Sequence, residues 1–139
     1  MNIQELRLGN AVYVKIWDDC NTPFTVTEIG YNVLWVSNSG GNVSTPVSPG
    51  LVEGIPISKD AVKNLKGFQY VEEMGTFKYG IDDLGMSIDT YGNSVYMEIY
   101  ITNPLFLKKL PNITQIHQLQ NLIYDLNGGV MLEYNTNAQ

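Results

Sequence analysis

Runs of alternating apolar and polar residues, separated by turn residues, dominate the segment 68–103. An alternation with a period of two is typical of strands that bury one face. The turn residues fall at Met74-Gly75, Asp82–Gly85 and Gly92-Asn93. Because a short turn follows each run, the segment predicts an antiparallel meander of three or four strands.

The two faces of this meander differ in composition. The apolar face, which we expect to pack on a helix, comprises Phe77, Tyr79, Ile81, Met86, Ile88, Thr90, Val95, Met97, Ile99 and Ile101. The opposite face, which we expect to meet solvent or a partner, comprises Lys78, Ser87, Asp89, Tyr91, Tyr96, Glu98 and Tyr100. The tyrosines Tyr91, Tyr96 and Tyr100 offer rigid contact area, which suits stacking on a base or an oligomer interface. Cross-strand packing explains the same tyrosines without a partner.

Three shorter runs with the same alternation precede the meander, at 11–17, 24–29 and 33–37. In the first run Val12 and Val14 alternate with Tyr13 and Lys15. Short strands joined by short turns predict a small, strongly bent antiparallel sheet, and an SH3-like barrel is our interpretation of it.

Residues 37–50 interrupt this pattern. Gly, Ser, Asn, Thr and Pro dominate the segment, and it contains no charged residue. Loops of this length are usually either functional or disordered. The segment predicts a loop that is either a mobile crossover or a cover for a neighbouring site.

A short helix is predicted at 59–66, between Ser58 and Gly67. The Ser58 hydroxyl suits an N-cap, because it can accept from the first free backbone N–H groups, and glycine suits the position after a helix. A helix start next to Lys59 and Lys63 also suits a phosphate group. An ordinary capped helix with solvated lysines explains the same residues.

A second helix is predicted at 112–126. Apolar residues recur at steps of three and four, at Ile116, Leu119, Ile123 and Leu126. That spacing is typical of an amphipathic helix. Asn112 and Gln115 resemble a capping box at its start, and a last strand is predicted at 130–134.

A neutral polar strip lies opposite the apolar face of this second helix. Its members are His117, Gln120, Asn121 and Tyr124. Helical spacing alone accounts for the strip, which also suits hydrogen bonding to a neighbouring segment, a ligand or a partner. A catalytic base needs an orienting group and a nucleophile or water, and no local acid orients His117. It is the only histidine, so His-pair metal sites are excluded and we expect no metal and no cofactor.

These elements predict an α+β fold, with a small bent N-terminal antiparallel sheet and an antiparallel meander packed on the C-terminal helix. The length of 139 residues suits a single domain. Within it, 1–57 would form a barrel-like subdomain and 58–139 a helix–meander–helix–strand subdomain.

Charge and composition exclude several classes of function. The net charge is −6, with 14 acidic and 8 basic residues, which disfavours general nucleic-acid binding. The single cysteine, Cys20, excludes an intrachain disulfide, and its neighbours Asp18 and Asp19 disfavour a reactive thiolate. The chain opens without a signal-peptide pattern and contains no apolar run of membrane-spanning length. We therefore expect a cytoplasmic protein without a membrane partner.

Three stretches carry a resemblance to a known group of proteins. They are ELRLGNAVYV at 5–14, GIPISKDAVKNLKGF at 54–68 and HQLQNLIYDLNGG at 117–129. Together they resemble small uncharacterised proteins encoded by phages and prophages of Bacteroidota bacteria. The resemblance implies no activity. It implies a mobile-element setting in a host cytoplasm, where small accessory proteins bind and disable host factors.

Three functions remain open. The first is a non-enzymatic binding protein that holds a host protein through the tyrosine face and the 37–50 loop. The same face could also join copies of the chain into a homo-oligomer. The second is sequestration of a small phosphate-bearing, nucleotide-type ligand at Ser58, Lys59 and Lys63, as a counter-defence protein. The third is a hydrolase-type enzyme that uses His117 as a base. The missing catalytic constellation favours the first.

Overall fold

The computed structural model describes residues 2–15, 22–38, 43–73, 75–81, 84–89, 94–99 and 106–136. These residues form two antiparallel sheets of five strands each and two α-helices, so the predicted α+β class is confirmed. A 3₁₀ helix, Ile3–Glu5, precedes the first strand. None of the helices in this described part has the length and apolar character needed to cross a membrane.

The first sheet has the spatial order β4-β3-β2-β1-β5. Its strands are β1 (Ala11–Val14), β2 (Pro23–Gly30), β3 (Val33–Ser37), β4 (Ser44–Val47) and β5 (Val52–Gly54). Another 3₁₀ helix, Pro49–Leu51, leads into β5. Because β5 returns to pair with β1, the first and last strands of this sheet lie side by side.

Two local features depart from regular strand geometry in this sheet. Asn32, in the turn between β2 and β3, has a φ of 57°, a left-handed conformation that asparagine tolerates. A register shift between Val26 and Glu28 places a bulge in β2, and bulges increase the local twist. The buried core of this sheet comprises Leu6, Val12, Val14, Val26, Leu34, Val36, Val47 and Val52.

The prediction of a continuous loop at 37–50 is wrong. Strand β4 lies within that segment and pairs with β3, and the 3₁₀ helix at Pro49–Leu51 follows it. Pro46 sits in β4, where it faces Trp35. A proline is tolerated there because β4 is an edge strand and one side of its backbone needs no partner. Residues 39–42 lie outside the described residues.

The second sheet is a meander of neighbouring strands. Four of them lie within 68–103, as predicted, and a fifth, which was not predicted, follows that segment. They are β6 (Gln69–Val71), β7 (Thr76–Ile81), β8 (Leu84–Asp89), β9 (Ser94–Ile99) and β10 (Phe106–Lys109). The predicted turn at Asp82–Gly85 is too long, because Gly85 pairs with Gly80 inside the sheet. Asp82 and Asp83 lie outside the described residues.

The apolar face of this sheet packs on the C-terminal helix, as predicted. Phe77, Met86, Ile88 and Val95 are buried in one core with Ile116, Leu119 and Ile123. Thr90 and Ile101, and the side chains of Ile81 and Ile99, lie outside the described residues.

On the opposite face the prediction fails for Ser87. It is only 6% exposed, in register between Lys78 and Tyr96. A small side chain between two long ones is covered by them, so position on an outer face does not by itself make a residue accessible.

Both helices are shorter than predicted. Helix α1 is Lys59–Lys63, capped by Ser58, and α2 is Ile116–Leu126. Helix α2 begins after Gln115 rather than Asn112, because the preceding residues are extended and pair with another segment. The Ile57 N–H donates to Thr114 O at 3.0 Å, and the Ile116 N–H donates to Ile55 O at 2.8 Å.

The strand predicted at 130–134 is also wrong. The segment makes one bridge, between Tyr134 and Leu65, and runs back past α1. Leu132 and Tyr134 are nevertheless buried in the larger core. The apolar alternation in 130–134 therefore reflects burial of one side of an extended segment, and this segment is not a strand of either sheet.

Strand β1 connects the two cores. Val12 and Val14 belong to the core of the first sheet, whereas Ala11 belongs to the core beneath α2. Successive side chains of a strand point to opposite faces, so one strand can serve both cores.

Candidate functional site

The polar strip of α2 faces the N-terminal segment of the chain. His117 and Gln120 are both 0% exposed, whereas Asn121 is half-buried and Tyr124 lies at the surface. The structure thus divides the four predicted residues into an interior pair and a rim pair.

Gln120 is occupied by hydrogen bonds within the chain. Its side-chain Oε1 accepts from the Ala11 N–H at 2.9 Å. Its Nε2 donates to the carbonyl oxygens of Gly9 and Leu132, at 3.1 and 2.8 Å. A buried amide with these partners is satisfied, and it ties the start of β1 and the C-terminal segment to α2.

Asn121 continues this network toward the surface. Its Nδ2 donates to the Glu5 carbonyl oxygen at 2.8 Å, and its Oδ1 accepts from Asn10 Nδ2 at 2.8 Å. Asn10 is itself buried, and its Oδ1 accepts from the Arg7 N–H at 2.7 Å. The amide side chains of α2 therefore hold residues 5–11 in place.

An ion pair closes the rim of the network. The Arg7 guanidinium donates to both carboxylate oxygens of Asp125, at 2.7 and 3.2 Å. This contact lowers the pKa of Asp125 below its ordinary value and raises that of Arg7. The Arg7 guanidinium also lies 5.3 Å from the centre of the Tyr124 ring, a cation–π distance. Asp125 is thus held by Arg7.

His117 is buried behind the same segment without a hydrogen-bond partner for either ring nitrogen among the described residues. Its nearest charged atom is Glu5 Oε2, 3.6 Å from Nε2. Burial lowers the pKa of His117, and Glu5 opposes that shift only in part. The imidazole is therefore neutral at pH 7, and no described hydroxyl or thiol is hydrogen-bonded to it.

The predicted phosphate-site residues lie around α1, which has only five residues. The Ser58 hydroxyl accepts from the Ala61 N–H at 3.1 Å, and Lys59 Nζ lies 5.3 Å from the centre of the Tyr70 ring. Lys63 is exposed in the last turn. The structure thus gives Ser58 and Lys59 contacts inside the chain, and phosphate binding there stays a prediction.

Of the three predicted tyrosines, only Tyr96 is among the described residues. It lies half-buried on the outer face of β9, opposite Ser87 and Lys109. Tyr91 and Tyr100 lie outside the described residues.

Leu107 on the same outer face was missed by the sequence reasoning. It is 59% exposed and pairs with Glu98 in the register of β10 and β9. The segment Phe106–Lys109 has two apolar residues followed by two lysines, so no apolar–polar alternation marks it as a strand.

Two further observations bear on the chemistry of the site. In the described part of the chain no group of three His, Cys, Asp or Glu residues could hold a metal ion. Comparisons with protein-family models, with curated proteins and with solved structures find no match to this chain. The functional argument therefore rests on the geometry of these residues.

Proposed function

We propose that this chain is a non-enzymatic binding protein of phage or mobile-element origin, and that it holds a host protein on the outer face of its second sheet. The observation that carries the proposal is Leu107, a large apolar side chain that is 59% exposed on this face. Tyr96, an aromatic residue of the type that is enriched among interface hot spots, lies on the same face.

The residues around Leu107 support this placement. Gly80 and Gly85 lie in the same cross-strand row as Leu107, and a Cβ added at Gly80 would meet open space. The row next to it contains Tyr96 and Lys109. Because Gly80 is exposed and has no side chain, a partner side chain could contact the backbone of the sheet at this position.

The α2 strip supports the same assignment indirectly. Gln120 and Asn121 are used to hold the N-terminal segment, so a partner would need to displace native hydrogen bonds to reach them. The outer face of the second sheet requires no such exchange.

Capture of a partner from a Bacteroidota host lysate tests the proposal. Leu107→Asp and Tyr96→Ala should each reduce capture at least roughly tenfold, because hot-spot truncations cost about 2 kcal/mol or more. The matched control is Val130→Asp, since Val130 is 61% exposed but lies beyond α2. Equal capture by all three variants would contradict the assignment.

The mobile-element origin and the host cytoplasm rest on the three stretches that resemble phage and prophage proteins.

Native mass spectrometry of the purified protein also separates this proposal from its alternatives. A co-purified nucleotide would favour sequestration near Ser58, Lys59 and Lys63, and a dimer would favour self-association through the outer sheet.

We also propose that the first sheet is SH3-like. Support comes from its strand order, in which β5 pairs with β1, and from the 3₁₀ helix that leads into β5. The bulge in β2 supports a sheet bent enough to enclose its own core.

A further inference from the structure

A cleft of about 360 Å³ lies where the N-terminal 3₁₀ helix, strand β5 and the start of α2 meet. Its lining residues are Asn2, Glu5, Val52, Glu53, Gly54 and Gln115. Gly54 gives the cleft its shape, because a side chain there would collide with Gln115. This site is distinct from the outer face of the second sheet, and its argument does not rest on the proposed function.

The charged groups of the cleft are two carboxylates with different partners. Glu53 Oε1 lies 2.6 Å from Lys15 Nζ, so this charge is offset at the surface. Glu5 has no lysine or arginine within ion-pair distance among the described residues, and its side chain is half exposed. Glu5 therefore supplies the negative charge that an incoming group would meet.

His117 lies behind Glu5 and provides a second, independent observation. Its imidazole is 0% exposed, neither ring nitrogen has a hydrogen-bond partner in the described part of the chain, and Nε2 faces Glu5 Oε2 at 3.6 Å. A buried polar group without a partner costs about 1–3 kcal/mol. The carboxylate that forms one wall of the cleft is thus also the nearest group able to satisfy this imidazole.

We propose that the cleft binds an organic cation, a primary ammonium or a guanidinium group, with Glu5 as the principal carboxylate and His117 as its positioning residue. A carboxylate has two oxygens. One oxygen of Glu5 meets the cation. The other faces Nε2 of neutral His117 at 3.6 Å, and it accepts the Nε2–H once the bound cation holds the carboxylate closer. Glu53, which also lines the cleft, supplies a second acceptor.

An anion is the poorer fit, although the start of α2 is close. The first N–H groups of that helix are already used. The Ile116 N–H donates to Ile55 O at 2.8 Å, and the Gln115 N–H donates to Gln118 Oε1 at 3.0 Å. The polar atoms that remain available to a ligand are mainly the carboxylate oxygens of Glu5 and Glu53.

Titration of ¹⁵N-labelled protein by NMR tests this site with three probes: agmatine, N-acetyl-lysine methylamide and the uncharged N-acetyl-norleucine methylamide. We expect saturable shifts of the amides of Glu5, Glu53 and Gly54 with a charged probe and none with norleucine. Agmatine alone would indicate a free amine as the ligand, and the lysine derivative a cationic side chain of a polypeptide. Absence of saturable shifts at ~10 mM, or equal shifts with norleucine, would overturn the proposal.

Matched variants locate the binding. Glu5→Gln should weaken the cation at least roughly tenfold and Glu53→Gln by less, since charge-assisted hydrogen bonds are about twice as strong as neutral ones. Glu133→Gln is the control, because Glu133 pairs with a surface lysine, Lys66, at 3.2 Å, as Glu53 does with Lys15. Unchanged affinity in both Glu5→Gln and Glu53→Gln would overturn the site.

The imidazole ¹⁵N resonances of His117 supply a readout that a purely structural role would not move. They should shift when agmatine or the lysine derivative is added to the wild type, and stay in place in Glu5→Gln. Resonances that do not respond in the wild type would remove His117 from the proposal.

Discussion

Gln120 joins α2 to two other segments, the start of β1 and the C-terminal segment. Its amide bonds Gly9, Ala11 and Leu132 from a fully buried position. Removing such a side chain leaves buried backbone N–H and C=O groups without a hydrogen-bond partner. Each unpaired buried group destabilises the fold by more than the net stabilisation from one hydrogen bond.

We therefore expect Gln120→Leu to lower the free energy of unfolding by about 3 kcal/mol, because it leaves one backbone N–H and two carbonyl groups without their partner. Urea denaturation measures the change. Gln69→Leu is the control, since Gln69 is exposed in β6 and should change stability by less than about 0.5 kcal/mol. Equal effects of the two substitutions would contradict the role given to Gln120.

His117 gives the protein a pH dependence whose sign follows from its lowered pKa. The unfolded chain binds a proton near pH 6.5, whereas the folded chain resists it, so protonation favours unfolding. The contribution of neutral His117 to the free energy of unfolding is therefore fully present above pH 6.5. It is lost as the pH falls from 6.5 toward the lower pKa that His117 has in the folded state. The slope in that range is at most about 1.4 kcal/mol per pH unit.

The measurement is the free energy of unfolding of wild type and of His117→Gln at a series of pH values from 5 to 8. The difference between the two should be constant above about pH 6.5 and should change below it. Subtracting the variant removes the contribution of the carboxylates, Asp125 among them. A difference that stays flat across the whole series would show that His117 titrates normally.

For individual residues, the sequence predicted which side chains of α2 lie together, but not which segment of the chain they contact. His117, Gln120 and Asn121 do share one side of α2, but the prediction that this strip lies opposite the apolar face is wrong, because His117 and Gln120 are fully buried. Hydrogen bonding of the strip to a neighbouring segment was one of the open alternatives. Which surface it met depended on where residues 5–11 lie, and helical periodicity contains no information about a segment more than a hundred residues away. Contact of this strip with a partner stays a prediction.

Secondary-structure elements with a clear period were the most predictable part of the fold. The hairpin of β2 and β3 and the buried face of β7, β8 and β9 follow directly from alternation. The elements that were missed, β4 and β10, are both edge strands. An edge strand needs only one neighbour and tolerates proline and exposed apolar residues, so its sequence resembles a loop.

The start of α1 after Ser58 was predicted correctly, whereas the start of α2 was predicted too early, for a different physical reason. Local capping chemistry favoured Asn112, but pairing of 114–116 with 55–57 keeps the chain extended for three more residues. Gln118 then caps the helix, because its Oε1 accepts from the N–H groups of Thr114 and Gln115 at 2.9 and 3.0 Å. Tertiary pairing overrode the local preference, which sequence pattern alone does not register.

For the whole molecule, the placement of β1 decides whether the two sheets can unfold separately. Its residues alternate between the two cores, with Val12 on one side and Ala11 on the other. Gln120 fixes the same strand to α2 through the Ala11 N–H. Losing the first sheet would therefore remove part of the second core, so we expect one cooperative unit rather than two.

Leu34→Ala tests this coupling. Leu34 is fully buried in the core of the first sheet, and its truncation should lower the free energy of unfolding by about 3 kcal/mol. Native-state hydrogen exchange reports the change strand by strand. If unfolding is cooperative, the slowest amides of β8 lose the same free energy as those of β3, although β8 does not contact the mutated side chain. Protection of β8 that stays at the wild-type value while β3 weakens would show two independent subdomains.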